Sequence, residues 1–186
     1  MKRLWVSGYR SYELGIFNQK DKKIEVIKYA LRKYFLQKLE SADLDWIISG
    51  PNLGVEQWAL EEGVSLRSDY SVHVSMISPY LDFSKRWNEN NQLAFNKLKD
   101  KVDFFGATSN SPYQNPGQLR NYQNFMLQHT DEALLIYDPE HPGKTKYDYD
   151  LIKKFQDNHA YQLTLLDFYD LQDLAEEYEE SLHSDF

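Results

Sequence analysis

Apolar residues fall along this chain in two alternating rhythms. Short unbroken runs such as Leu4-Trp5-Val6, Ile47-Ile48 and Ala133-Leu134-Leu135-Ile136 read as strands buried on both faces. Between them, apolar positions recur every three or four residues. The stretch 20–41, for example, places Ile24, Ile27, Leu31, Tyr34, Phe35 and Leu39 on one helical stripe. Strands are predicted over residues 4–6, 45–49, 72–77, 102–105, 132–137 and 161–166. Helices are predicted over 20–41, 54–67, 84–101, 119–129, 147–158 and 170–182. Strands alternating with helices at this spacing predict an α/β fold with three α/β/α layers: a mostly parallel sheet with helices on both faces.

In such sheets ligands bind beyond the carboxyl ends of the strands, near the point where strand order reverses. The loops of interest are therefore Ser7-Gly8-Tyr9-Arg10, the stretch from Ser49 to Glu56, Ser78-Pro79-Tyr80, Gly106 to Asn110 and Asp138 to Lys146. In Ile47-Ile48-Ser49-Gly50-Pro51-Asn52-Leu53-Gly54-Val55-Glu56 a strand runs through a glycine-punctuated turn into a helix start. A helix N-terminus offers unpaired N–H groups and the positive end of its dipole, and glycine lets a phosphate approach closely. Gly50 and Gly54 are expected to supply positive φ or close approach, or simply to make the turn. Glu56 is expected either to interact with the helix start or to accept a ribose hydroxyl or act as acid/base on a glycosidic bond. Arg10 is a candidate phosphate partner, as are Thr145 and Lys146; Lys85 and Arg86, opening the third predicted helix, are weaker ones. Tyr9, Tyr12 and Phe17 are read either as base-stacking rings or as packing and loop anchors.

Two familiar motifs fail. Gly143-Lys144-Thr145 resembles the end of a P-loop, but position 138, where the first glycine belongs, is Asp138. The dinucleotide fingerprint also fails, because Gly50 and Gly54 are separated by three residues and the first turn has only Gly8.

The loop sequences together resemble one group. Ser7-Gly8-Tyr9-Arg10, Ser49-Gly50-Pro51-Asn52-Leu53-Gly54-Val55-Glu56-Gln57-Trp58-Ala59 and Tyr137-Asp138-Pro139-Glu140 are similar to the YpsA family (UPF0398, DUF1273) of the SLOG superfamily, to about Asp167. The resemblance implies a Rossmann-like fold and a pocket for a nucleotide-derived ligand, with an ADP-ribose- or NAD-like molecule as the candidate. It also implies that Gly54 and Glu56 are functional, faced by Gly8 and Arg10. Ligand-binding candidates are thus Gly8, Tyr9, Arg10, Ser49, Gly50, Gly54, Glu56 and Thr145, with Glu56 the catalytic candidate if the protein is an enzyme. The phosphoribohydrolases of the superfamily carry a P-G-G-x-G-T-x-x-E signature that is incomplete here.

Composition narrows these readings. The chain has 186 residues and a net charge of −8, and its last twenty residues contain eight acids and no Lys or Arg. Removing those eight from the total of 29 leaves 21 acids against 21 bases, so the body is neutral. A neutral body argues against nucleic acid, including single-stranded DNA binding of the DprA kind. There is no cysteine, and the five histidines form no close ligand pair, so no metal is expected. No apolar run reaches membrane-spanning length and no export signal is evident, so a cytoplasmic protein is expected. One domain is expected over residues 1–168, with 169–186 an acidic amphipathic helix of the same domain. That helix either docks on the body or meets a protein partner, a second copy included.

Overall fold

The computed structural model describes residues 1–184; Asp185 and Phe186, the end of the expected acidic tail, lie outside the described residues. Six parallel strands form one sheet: β1 (Arg3–Gly8), β2 (Trp46–Ser49), β3 (His73–Ser78), β4 (Phe104–Ala107), β5 (Glu132–Ile136) and β6 (Gln162–Leu166), in the order β4-β3-β2-β1-β5-β6. The chain steps outward from β1 to β4, then crosses back to lay β5 on the free side of β1. The order reverses there, so the crevice between the loops after β1 and β5 is where this topology places a ligand.

Six helices cover the sheet: α1 (Lys22–Glu40), α2 (Val55–Leu66), α3 (Glu89–Lys101), α4 (Gly117–Gln128), α5 (Lys146–Phe155) and α6 (Phe168–His183). Alternate residues of each strand feed opposite cores. Leu4, Val6, Leu134 and Ile136 meet α1 and α2 through Ile27, Leu31, Phe35 and Ala59. Trp5, Ala133 and Leu135 meet α4 and α5 through Met126, Leu127 and Ile152. A third cluster joins Leu60, Val74 and Met76 to Phe95 and Leu98 of α3. The result is the three-layer, Rossmann-like α/β/α arrangement expected from the alternation. No helix among the described residues is long and apolar enough to cross a membrane.

The boundaries differ from expectation where side chains cap the backbone. α3 begins at Glu89, not at 84, because the Asn88 side chain accepts from the Asn91 N–H and caps it. Lys85 and Arg86 therefore lie in the preceding turn. β4 starts two residues late, since the Val102 N–H still bonds to Leu98 of α3, and Gly106 belongs to the strand. The loop after β1 contains a short 3₁₀ turn, Ser11–Leu14, closed by Gly15 at φ 68°.

α6 packs along α1. Lys33 meets Glu177 at 2.7 Å, Tyr178 lies against Tyr29, and Leu171 joins the first core. Its entry is fixed by a capping box in which Asp167 and Asp170 each accept from the other's N–H at 2.9 Å. Leu171→Ala is expected to cost about 1 kcal/mol, the scale of half-burying such a side chain, read as a lowered urea midpoint; an unchanged midpoint would mean that α6 is detached in solution.

Candidate functional site

The loops after β1 and β2 are stitched together by their backbones. Arg10 pairs with Gly54 in an isolated antiparallel bridge, the Ser11 N–H donates to the Leu53 carbonyl at 3.0 Å, and the Val55 N–H donates to the Tyr9 carbonyl at 3.1 Å. The first N–H of α2 is therefore spent inside the protein. Gly54 makes the stitch possible: its φ of 125° is closed to most side chains, and a Cβ there would lie 2.6 Å from the Tyr9 oxygen and the Ser11 nitrogen. Gly50 has no positive φ, contrary to one expectation; it is needed for space, because a Cβ would strike the Glu56 carboxylate and sit 2.5 Å from the Tyr122 hydroxyl. Gly8 similarly lets the end of β1 press on Val55 and the Ile136 carbonyl.

Beneath this stitch lies an unbalanced charge cluster. Glu56, 3 % exposed, does not cap its helix. Its carboxylate accepts from the Asn52 side chain at 2.9 and 3.3 Å and faces the Arg10 guanidinium at 3.5 Å. A second carboxylate, Asp148 of α5, is also buried and accepts from the Ser7 hydroxyl and the Gln123 amide, each at 2.7 Å. Burial pushes both carboxyls up from their ordinary range. Arg10 pulls Glu56 back down while Asp148 pushes it further up; Gln123, Arg10 and Ser7 restrain Asp148. Burial, reinforced by the two acids, raises the Tyr122 phenol well above its usual value.

Several polar atoms around the cluster have nothing to bond. Arg10 Nε, Tyr122 Oη and Thr145 Oγ1 are buried without a hydrogen-bond partner among the described residues. A native fold satisfies nearly all such groups, and leaving one unpaired costs about 1–3 kcal/mol.

The structure thus brings Gly8, Arg10, Gly50, Gly54 and Glu56 together, places Thr145 at the start of α5 about one turn before Asp148, and gives two other candidates internal tasks. The Ser49 hydroxyl donates to the Val6 carbonyl at 2.6 Å, tying β2 to β1. Tyr9 is a buried anchor: its hydroxyl donates to the His141 carbonyl at 2.7 Å and accepts from the Asp138 N–H at 2.9 Å, while its ring packs on Phe168 and Tyr137. Tyr12 and Phe17 are exposed, and Lys146 is paired with Asp150. Asp148, Tyr122, Gln123 and Asn52 were not singled out from the sequence. The signal for Asp148 was an acid one turn before Ile152, on the buried stripe of α5. Among the described residues no three potential ligands converge on a metal position.

The loops that carry this geometry are those of a known group. The YpsA family model, described as the YspA SLOG family, matches residues 4–171. The chain belongs to the YpsA family. Relatives named UPF0398 protein include one from Lactobacillus gasseri, 63% identical over 181 residues, covering 97% of this chain and 96% of the relative. Another, from Lactobacillus johnsonii, is 61% identical over 186 residues and covers both chains fully. A third, from Lactobacillus helveticus, is 64% identical over 181 residues, covering 97% and 96%.

The raised carboxyls have a measurable consequence. In the unfolded chain such acids release their protons near pH 4, whereas the fold holds them to higher pH. Stability must therefore fall as pH rises from about 4 through the raised native values. Asp148→Asn removes one of these protons from the balance. Its stability relative to the parent protein should rise across that interval and then level off, as read by urea unfolding from about pH 4 to about pH 8. A difference independent of pH would mean that Asp148 titrates in the folded state as it does unfolded.

Proposed function

We propose that this protein binds a nucleotide-derived metabolite, of the ADP-ribose or NAD-like class, in the crevice at Arg10, and acts as a regulatory or signalling protein. The observation that carries the reading is the pair of unpartnered buried atoms Arg10 Nε and Tyr122 Oη beside two buried carboxylates where the strand order reverses, with a third, Thr145 Oγ1, at the start of the helix that carries Asp148. Arg10 and the Thr145 hydroxyl suit phosphate oxygens, which guanidinium groups bind through charge-assisted hydrogen bonds. Glu56 and Asp148 suit the hydroxyls of a ribose, which donate to carboxylates. A ligand carrying phosphate and sugar in adjacent positions uses both halves of the cluster.

A second reading is an N-glycosidase or phosphoribohydrolase, and Asp148 is the observation that favours it. Acid/base cleavage of a glycosidic bond uses one carboxyl that holds a proton and one that does not. Glu56 faces the guanidinium at 3.5 Å whereas Asp148 accepts hydrogen bonds from the neutral Ser7 and Gln123, an unequal environment that would supply that asymmetry. In this reading one acid protonates the departing base and the other takes a proton from the attacking water.

Isothermal titration with ADP-ribose, NAD and AMP tests the first reading. At least one of these compounds should bind, and Arg10→Lys, which keeps the charge but loses the planar fork, should weaken that binding about tenfold or more. No binding by any of the three to folded protein would refute it. Chromatography of the same mixtures tests the second. Release of free base, abolished in Asp148→Asn, would establish catalysis, and intact nucleotide after prolonged incubation would leave binding alone.

A further inference from the structure

The carboxyl ends of β3 and β4 carry an aromatic array separate from the Arg10 cluster. Tyr80, in the loop after β3, lies 5.3 Å from Tyr113 in the loop after β4, edge to face, and 5.0 Å from Phe83. From there the contacts run inward through Trp87, Phe95 and Phe105 to the third core. The inner rings pack like any core, but Tyr113 is 52% exposed and Tyr80 half-buried. Tyr9, by contrast, is sealed under Phe168 and offers no face for a base to stack on.

The loops that present these rings are held firmly. Gln118, buried at the start of α4, accepts from the N–H groups of Gln114 and Asn115 and donates to Ser109, Ser111 and the Pro112 carbonyl. The Leu81 N–H donates to the Ser111 carbonyl at 3.0 Å, joining the two loops, and Asp82 sits at φ 55°, a conformation uncommon outside glycine. Just past β4, where its N–H donates to the Ser78 carbonyl at 2.9 Å, Thr108 has a hydroxyl buried without a partner among the described residues. One turn along α4 from Gln118 stands Tyr122, whose hydroxyl abuts Gly50. The same helix therefore positions both the aromatic loop and one wall of the charge cluster. With strands about 4.8 Å apart, the boundary of β3 and β4 lies roughly 12 Å along the sheet edge from β1, on the same side. Dinucleotides lie across such an edge.

We infer that Tyr80 and Tyr113 form the nucleobase subsite of this crevice, with the base stacked on Tyr113 and the Thr108 hydroxyl supplying a hydrogen bond to its edge. The inference rests on the reading of the Arg10 cluster as a phosphate and ribose site, and assigns the base-bearing end of the same ligand. A stacked base is sequence-tolerant, because every base has a π face. The subsite would thus contribute affinity for a base while leaving purine and pyrimidine weakly distinguished, apart from the Thr108 contact.

Titration of the full chain with ribose 5-phosphate, AMP and ADP-ribose separates the two claims. AMP should bind on the order of tenfold to a hundredfold more tightly than ribose 5-phosphate, the scale of one base stacked on an aromatic ring. Tyr113→Ala, an exposed position whose loss leaves the cores intact, should abolish that advantage and leave ribose 5-phosphate binding unchanged. Equal affinity for AMP and ribose 5-phosphate, or an undiminished advantage in Tyr113→Ala, would overturn the base subsite while leaving the phosphate site standing. Failure of all three compounds to bind would overturn the parent reading and this one with it.

Discussion

Two buried carboxylates and one largely buried guanidinium, at the point where the strand order reverses, set the terms for the rest of this structure. Burying such charges is expensive, and an ion pair in the interior is seldom worth more to stability than the apolar side chains that could replace it. Here the count is also uneven, with Glu56 and Asp148 set against Arg10 alone. The surroundings answer with donors: Asn52 and Arg10 on one carboxylate, Ser7 and Gln123 on the other. They leave Arg10 Nε and the Tyr122 and Thr145 hydroxyls unsatisfied. A fold selected for stability alone has little reason to keep that arrangement, whereas a binding site does.

The surrounding architecture serves to hold the cluster in place. Gly54 allows the loops after β1 and β2 to bond edge to edge, Gly50 vacates the space that Glu56 and Tyr122 share, and Tyr9 pins the loop after β5 through Asp138 and His141. α4 and α5, packed on one face of the sheet, carry Tyr122, Gln123 and Asp148 across to meet Arg10 and Glu56. The contributors come from four different βα units, so the site exists only when those units are assembled on the sheet.

Much of this was legible in the sequence because period and punctuation are local. Alternating apolar rhythms marked the six strands and six helices, and the glycine turn after β2 lies with Gly8 and Arg10 at the carboxyl edge of the sheet. The boundary errors came from side-chain caps, such as Asn88 ahead of α3, that compete with an otherwise plausible helical stripe. Asp148 and Tyr122 were hidden for a different reason. They lie on helices distant in sequence, and only the crossover from β4 to β5 brings them beside Glu56. An acid on the buried stripe of α5 was the one local trace, and the roles of Tyr9 and Ser49 as internal ties depend on partners that no spacing reveals.

The central claim is that the buried acids are part of the ligand site rather than an internal brace. Side-chain carboxyl NMR of Glu56 and Asp148, titrated with and without saturating ADP-ribose, addresses it directly. At least one of the two is expected to titrate above the ordinary carboxylate range in the free protein, and ligand is expected to move that transition. Two ordinary titrations, unchanged by a ligand shown to be bound, would contradict it.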